Sequence, residues 1–267
     1  MENILKKIID KKKEKIIKYK KEININSILK NINNIKNFIN FKNKLKERTE
    51  EKKISIIAEI KKASPSAGLL IKNFNHINIA KQYAENGASF LSVLTEEDFF
   101  LGKLDYIRDI KKHFLIPILC KDFLIDTYQV ALAKHYGADC ILIILSAVDN
   151  ILAKDLYQAS IDLNISSIVE VHNEKEAEQA LAYEHSIIGI NNRNLKTLEI
   201  SLDNTFFLSK ILNSHENPLI CESGIHNKND IQLVVDKSKI YNFLIGESLL
   251  VSDDISAKLR DFTQITL

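Results

Sequence analysis

The sequence predicts an α/β protein, a (β/α)8 barrel preceded by a helical extension. After residue 54, short apolar runs alternate with amphipathic segments over about 210 residues, which favours a parallel sheet. There are eight such strand–helix units, the number that closes this type of barrel. The alternative is an open, doubly wound sheet. It is disfavoured because no GxGxxG motif follows the first apolar run.

Residues 1–50 are predicted to form helices packed on the barrel, and residues 51–267 the barrel itself. Six apolar residues near the N-terminus recur at near-helical spacing: Ile4, Leu5, Ile8, Ile9, Ile16 and Ile17. The lysine run 11–13 permits a membrane-surface or nucleic-acid role. We favour a solvated face of a packed helix, because no aromatic anchors accompany the lysines. The polar stretch 24–40 still carries enough apolar residues that we expect it to be ordered.

The remaining elements follow in order from apolar runs, β-branched residues and turn signals. The strands are predicted at 54–60, 90–94, 116–120, 140–145, 167–171, 187–190, 219–221 and 241–245. The helices are predicted at 75–86, 103–113, 126–136, 150–163, 174–183, 203–212, 228–235 and 254–262. Gly87 and Gly137 stand where two helices need a left-handed closing residue.

Composition restricts the function and the location. The chain has 267 residues and a net charge of only +2, so no global field favours nucleic acid. Cys120, Cys140 and Cys221 are far apart, which is typical of buried thiols in a reducing compartment. The histidines are scattered, so a metal site has little support. No apolar run is long enough for a membrane span or a signal peptide, and we expect a cytoplasmic protein.

Candidate site residues follow from the rule that such barrels carry their active sites at the carboxyl ends of the strands. Polar residues at those ends are Glu59, Lys61 and Ser64; Thr95 and Glu96; Lys121 and Asp122; Ser146; Glu170; Asn191, Asn192 and Arg193; Glu222, Ser223 and Gly224; and Gly246, Glu247 and Ser248. Single strand-end charges are usually just solvated. Their recurrence at one barrel mouth favours a common site.

Two of these sets predict a phosphate site. Ser223-Gly224 and Gly246-Glu247-Ser248 follow the seventh and eighth strands, where small residues expose backbone N–H groups. Turns use the same residues, so each pair is weak evidence by itself. The Glu247 side chain is expected to point away from a phosphate while its N–H contributes.

The other strand ends predict an acid–base site. Lys61, Lys121 and Arg193 make the mouth cationic, and Glu59 and Glu170 place carboxylates among them. A lysine in such a group can bind an anion or donate a proton, and a desolvated glutamate with a raised pKa can accept one. The alternatives are an ion pair Lys121–Asp122 and a structural partner role for Glu170. Two interpretations are open for five apolar residues near the strand ends: they form a wall that packs on an aromatic ring, or they belong to the ordinary core. They are Phe99, Phe100, Phe123, Leu142 and Leu195.

Seven stretches together resemble the indole-3-glycerol-phosphate synthase family, over nearly the whole chain. They are Ile57-Ala-Glu-Ile-Lys-Lys-Ala-Ser-Pro-Ser66, Ser92-Val-Leu-Thr-Glu-Glu97, Lys121-Asp-Phe123, Val169-Glu-Val-His172, Ile188-Gly-Ile-Asn-Asn-Arg-Asn-Leu195, Glu222-Ser-Gly-Ile225 and Ile245-Gly-Glu-Ser-Leu249. The resemblance implies a TIM barrel that closes the indole ring of 1-(2-carboxyphenylamino)-1-deoxyribulose 5-phosphate, with loss of carbon dioxide and water and without a cofactor.

The resemblance also implies roles for individual residues. Lys121 resembles the general acid that protonates the ketone oxygen, and Lys61 a second lysine for carboxylate binding or dehydration. Glu170 resembles the proton acceptor of the dehydration step. Glu59 and Asn191 resemble orienting groups. Substrate-binding positions are implied at Ser64, Phe100, Phe123, Leu142, Arg193, Leu195, Ser223, Gly224, Gly246, Glu247 and Ser248.

Departures from the family pattern are modest. Cys120 stands where the family often has Arg, and Val251-Ser252 where it often has Met-Arg. Two alternatives stay open: a related phosphate-binding barrel such as a sugar-phosphate isomerase, and a non-catalytic barrel. The expected partner is an anionic small molecule with a phosphate and a carboxylate. A second enzyme of the pathway is allowed as a protein partner, whereas nucleic acid and membranes are not expected.

Overall fold

The computed structural model describes residues 4–32, 35, 37–194 and 197–265. Within these ranges, eight parallel strands close into a barrel, as the sequence predicts. Ile57 on the first strand lies beside Phe90 of the second and Leu244 of the last, which closes the ring. The strands are β1 (Ser55–Ile60), β2 (Phe90–Leu94), β3 (Ile118–Lys121), β4 (Cys140–Ile144), β5 (Ser166–Val171), β6 (Ile187–Asn191), β7 (Leu219–Glu222) and β8 (Asn242–Ile245).

Helices precede and surround the strands. They are α1 (Ile4–Glu22), α2 (Ile25–Ile32), α3 (Phe41–Glu50), α4 (His76–Glu85), α5 (Asp105–His113), α6 (Thr127–His135), α7 (Asn150–Asp162), α8 (Glu174–Ala180), α9 (Asp203–Ile211), α10 (Lys228–Ser238), α11 (Glu247–Leu250) and α12 (Ile255–Thr263). Asn75, Asp126 and Asp149 cap helix starts by accepting first-turn N–H groups. None of the helices in the described ranges is long and apolar enough to cross a bilayer.

Three strands end one residue later than predicted. β3 includes Lys121, β6 includes Asn191 and β7 includes Glu222. Asn191 and Glu222 are register partners, so these polar residues belong to the regular ladder. The sequence pattern stops each strand early because it assigns polar residues to loops. Here the barrel mouth is a polar cavity, and the strands continue into it.

Strand residues alternate between two apolar layers, because successive side chains point to opposite faces. Ile57 and Leu119 lie in the barrel interior, whereas the neighbouring Ile56 and Cys120 pack against the outer helices. Helix α3 covers the amino end of the barrel with Phe41 and adds to the interior cluster. Packing therefore fills the lower part of the barrel and leaves the mouth for polar groups.

The helical extension spans the barrel from end to end. Helix α2 packs on α6, where Ile28 is fully buried. Helix α1 reaches the mouth, because its Lys12 ammonium lies 2.7 Å from Asp122 Oδ1 directly after β3. The side chains of both Lys12 and Asp122 are more than nine-tenths buried.

For Lys12, but not for its two lysine neighbours, this contact corrects the prediction of a solvated lysine face. Lys11 and Lys13 are exposed and pair with neighbouring acids of the same helix. Lys12, between them, turns inward to the barrel. Sequence spacing does not reveal this, because the partner carboxylate is 110 positions away in the chain.

Candidate active site

A cavity of about 550 Å³ opens at the carboxyl ends of the strands. Its walls carry most of the predicted site residues: Glu59, Lys61, Phe100, Lys121, Phe123, Leu142, Glu170, Asn191, Arg193, Ser223, Gly224, Gly246, Glu247 and Ser248. Leu195 lies outside the described residues. Ser64 is buried just behind the wall, with its hydroxyl 3.3 Å from that of Ser66, which does line the cavity.

Lys121 forms the centre of the cavity floor. Its ammonium donates to Glu170 Oε2 at 2.9 Å and to Glu222 Oε2 at 2.7 Å. All three side chains are largely shielded from water, and the Glu222 side chain is only 1% exposed. Exclusion of water lowers the local dielectric constant, which strengthens the attraction between this cation and its two carboxylates.

The two carboxylates differ in acidity. Burial alone would raise the pKa of Glu170, but the nearby Lys121 and His172 cations outweigh it and hold that pKa below its usual range. Burial raises the pKa of Glu222 to about 7, and the adjacent Glu170 charge adds to the shift although Lys121 opposes it. The carboxyl with a raised pKa is therefore that of Glu222, a strand-end candidate to which the sequence assigned no role.

Lys121 itself stays protonated. Burial alone would lower its pKa, but Glu170, Glu222 and Glu59 more than offset this, so that the pKa lies above its usual value. Lys121 is thus an ammonium ion throughout the working pH range. Such a group binds an anion and donates a hydrogen bond, and it releases its proton only to a strongly basic atom.

A second ion pair lies on the same floor. Lys61 donates to Glu59 Oε1 at 2.6 Å, and both residues come from the end of β1. The backbone carbonyl of Glu59 also accepts from the buried Tyr83 hydroxyl at 3.2 Å, which fixes the strand end. Two lysines with separate carboxylate partners therefore face one cavity.

Asn191 links the acid–base floor to the phosphate loops. Its Oδ1 accepts from Arg193 N at 3.0 Å and from Ser223 Oγ at 2.9 Å. Both bonds use the amide oxygen, so the amide NH2 is left for a ligand, as no acceptor within the described ranges takes it. The Arg193 guanidinium lies 3.8 Å from Glu247 Oε2, a loose contact that an incoming anion can replace.

The backbone of the predicted phosphate loops is unusual at two successive residues. Ser223 (φ +66°) and Gly224 (φ +86°) are successive residues in the left-handed region, which glycine accepts readily and serine does not. Gly246 precedes the short helix α11, whose first N–H groups have no intrahelical acceptor. The Ser248 hydroxyl donates to Ile225 O at 2.7 Å and so ties the two loops together.

Apolar side chains close one side of the cavity. The ring centroids of Phe100 and Phe123 lie 6.1 Å apart, with their planes at 39°, and Leu142 lines the same cavity. The loop with Phe100 is held by the buried Glu96 carboxylate, which accepts from Phe99 N at 2.7 Å and Phe100 N at 3.0 Å. Phe99, also considered for this wall, does not line the cavity.

Several other strand-end residues are structural. Asp122 pairs with Lys12 of α1 and accepts from the Thr95 hydroxyl at 2.7 Å, so it is not the partner of Lys121. Asn192 is buried; its side chain accepts from the Thr205 hydroxyl and donates to the backbone carbonyls of Glu222 and Ser223. The described residues contain no group of three or more His, Cys, Asp or Glu arranged to hold a metal ion.

Two charged residues of this region, Glu222 and His172, received no role from the sequence, although a signal existed. Glu222 stands two residues after Ile220, whose side chain fills the barrel interior. His172 stands two residues after Glu170. Side chains two apart on a strand share a face, so Ile220 and Glu170 indicate that Glu222 and His172 point inward.

Comparisons with known proteins agree on one family. The family model described as "Indole-3-glycerol phosphate synthase" matches residues 5–262. The chain is 42% identical over 258 residues to the indole-3-glycerol phosphate synthase of Alkaliphilus metalliredigens, covering 97% of both chains. It is 38% identical to that of Ruminiclostridium cellulolyticum, covering 96% of this chain and 97% of that one.

Solved structures show the same fold at low identity. A 3-hexulose-6-phosphate synthase from Salmonella typhimurium superposes with a TM-score of 0.64 at 11% identity, covering 79% of this chain and 97% of the other. KGPDC from Streptococcus mutans gives a TM-score of 0.60 at 13% identity, covering 79% and 96%. At these identities the likeness concerns the barrel alone.

Proposed function

Because this chain belongs to the indole-3-glycerol phosphate synthase family, we propose that the barrel-mouth cavity is its active site and that Lys121 is the general acid. The enzyme is a carboxy-lyase of tryptophan biosynthesis. Its substrate is an anion with a phosphate and a carboxylate. The observation that most supports the proposed site is the buried Lys121 ammonium between Glu170 and Glu222, on a floor bordered by two small-residue loops.

Substrate binding uses opposite sides of the cavity. The phosphate is proposed to bind the loops Ser223-Gly224 and 246–248, with Arg193 as its cation. The aromatic ring packs on Phe100, Phe123 and Leu142. Holding both ends of a flexible substrate brings the ring carbon to the ketone carbon and removes much of the entropic barrier.

Ring closure requires a proton at the ketone oxygen. As the aromatic carbon attacks the ketone carbon, the oxygen develops the charge of an alkoxide, which is more basic than an amine. Lys121 donates a hydrogen bond to this oxygen and transfers its proton as the charge grows. The carboxylate then leaves as carbon dioxide, and its electron pair restores the aromatic ring.

Dehydration requires an acid and a base at opposed positions. The hydroxyl leaves as water after accepting a proton, and the substrate gives up one proton to a base. Glu170 is proposed as this proton acceptor, and Lys61 binds the carboxylate or serves the dehydration step. Glu59 and Asn191 orient these groups. Glu222, with a pKa near 7, is placed to return a proton to Lys121, 2.7 Å away.

We also propose where the protein is located and which protein it contacts. We propose a cytoplasmic location, which the free, buried cysteines Cys120, Cys140 and Cys221 support. A second enzyme of the same pathway is a proposed protein partner, with the chemistry of a shared phosphorylated intermediate as its only support. The reaction needs no cofactor in the mechanism proposed here.

Turnover of the carboxyphenylamino ketose phosphate, followed by indole fluorescence, tests the proposal. We expect the parent protein to turn over and Lys121→Ala to lose roughly 10²- to 10⁴-fold in kcat, the usual contribution of a general acid. Lys112→Ala, which removes an exposed lysine of α5, is the matched control and should retain wild-type kinetics. Full activity of Lys121→Ala would reassign the acid role, with Lys61 as the next candidate.

A further inference from the structure

We propose that His172 is a positioning residue which, as an imidazolium, holds the Glu170 carboxylate in its working orientation. The inference rests on the proposed role of Glu170. His172 directly follows β5, two residues after Glu170, and its side chain is 7% exposed. Neither the acid–base roles nor the binding roles assigned above use it.

The contacts of the ring indicate its charge state. His172 Nε2 lies 3.2 Å from Glu170 Oε1, and Nδ1 lies 3.2 Å from Glu176 Oε2. A neutral imidazole has one N–H and one lone pair, so one of its nitrogens would face a carboxylate with no proton between them. Only the protonated ring offers N–H to both carboxylates. The geometry therefore favours the cation.

Helix α8 fixes the far side of this arrangement. Glu176 Oε2 accepts the backbone N–H of His172 at 2.8 Å, and its Oε1 accepts from Asn173 Nδ2 at 2.6 Å. The Asn173 side chain caps α8 by accepting the N–H of Glu176 at 3.1 Å. The imidazole is thus held by a capped helix start, which does not depend on the substrate.

Each oxygen of Glu170 meets a different cation. Oε2 accepts from Lys121 at 2.9 Å, and Oε1 faces His172. When Lys121 turns to the substrate oxygen, His172 remains to hold Glu170. The His172 Nε2 contact is a close ion pair that lacks the alignment of a hydrogen bond, and Nε2 has no hydrogen-bond acceptor in the described ranges. The contact with Glu170 is therefore an attraction between charges, which persists when Lys121 moves.

The surrounding charges keep the ring protonated at neutral pH. Burial alone would lower the pKa of His172, but Glu170 from β5 and Glu176 from α8 raise it to about 9. Beyond Glu170, Lys121 from β3 and Glu222 from β7 are the next charged groups. As pH rises through about 9, the ring loses its proton and Glu170 loses one of its two cations.

Nitrogen-15 NMR of the histidine side chains tests the charge state. The His172 signals are identified by their absence in His172→Gln. We expect both ring nitrogens to carry protons at pH 7.5 and to titrate near pH 9. A single protonated nitrogen at pH 7.5, with titration near the ordinary 6.5, would overturn the proposal.

Kinetics test the positioning role. For His172→Gln we expect kcat to fall about 10- to 100-fold with little change in KM, a smaller loss than removal of an acid–base group causes. The acid limb of the pH profile of kcat should move to higher pH, because loss of a nearby cation raises the pKa of Glu170. His215→Gln is the control, since its ring nitrogen lies 3.0 Å from Ser186 O at the opposite end of the barrel.

The outcomes separate this inference from the proposed function. A fall in kcat for His172→Gln with an unmoved acid limb would indicate a merely structural role and overturn the inference. Wild-type turnover by Glu170→Gln would instead refute the role of Glu170 itself. An inactive Glu170→Gln together with a neutral His172 at pH 7.5 would refute the positioning role alone.

Discussion

Gly189 makes room for the carboxylate beside Lys121, and Gly189→Ala tests whether that placement sets the rate. A Cβ at this position would overlap Glu222 Oε1 and lie 3.1 Å from Ile168 Cγ2. Glu222 is 1% exposed and its Oε1 has no hydrogen-bond partner in the described ranges, so nothing else holds that oxygen. Gly189 lacks the positive φ that makes alanine strained, so the change acts through the overlap.

The size of the effect follows from the displacement. The oxygen must move by roughly 1 to 1.5 Å to regain van der Waals contact, because carbon and oxygen approach to about 3.5 Å. A misplacement of that size costs on the order of 10²-fold in kcat, or about 2.7 kcal/mol of transition-state stabilisation. Overpacking should also lower the free energy of unfolding by about 1–3 kcal/mol.

Indole fluorescence gives kcat, and urea unfolding gives stability. Gly137→Ala is the matched control: its left-handed φ of +98° strains an alanine, and its Cβ would meet only the Lys111 side chain. It should lose stability of similar size and keep wild-type kcat. A folded Gly189→Ala with kcat within threefold of the parent would refute the reasoning that the Glu222 position controls the reaction.

Two other predictions concern buried charges. Lys12→Met should lower the free energy of unfolding by about 3–5 kcal/mol, because Asp122 stays buried without its cation. Adding Asp122→Asn should recover most of this loss. A double variant that is no more stable in urea unfolding than the single variant would contradict this prediction. Glu222 holds a proton in the folded state up to about pH 7, whereas an unfolded glutamate releases it near 4.3. Its contribution to stability therefore falls as pH rises towards 7, and Glu222→Gln should flatten the unfolding free energy between pH 5 and 7. If the unfolding free energy of Glu222→Gln depends on pH as steeply as that of the parent protein, the pKa of Glu222 is not raised.

The barrel and the site's location could be predicted because each depends on local patterns. Apolar runs and helix caps such as Asn75 mark the elements, and the carboxyl ends of the strands mark the site. Predicted bounds differ from the observed ones by up to three residues. The sequence predicted neither the bounds of the short helix α11 nor the hairpin formed by residues 63–64 and 68–69. Elements of two to four residues are too short to show a periodic pattern.

The partners of the site residues could not be predicted in the same way. Lys121 and Glu222 are 101 positions apart, and only the closed barrel brings their side chains together. Which carboxyl group has the raised pKa depends on that contact as well. Which of two glutamates is more acidic is decided by the cations around each, and Glu170 has two nearby whereas Glu222 has one.

A crystal structure with a substrate analogue whose ketone is reduced to an alcohol tests the central claim most directly. We expect Lys121 Nζ within about 2.7–3.2 Å of that oxygen, the distance of a hydrogen bond, with the phosphate on the loops 223–224 and 246–248. The contradicting result is an oxygen bound to Lys61 Nζ while Lys121 still donates to both Glu170 and Glu222.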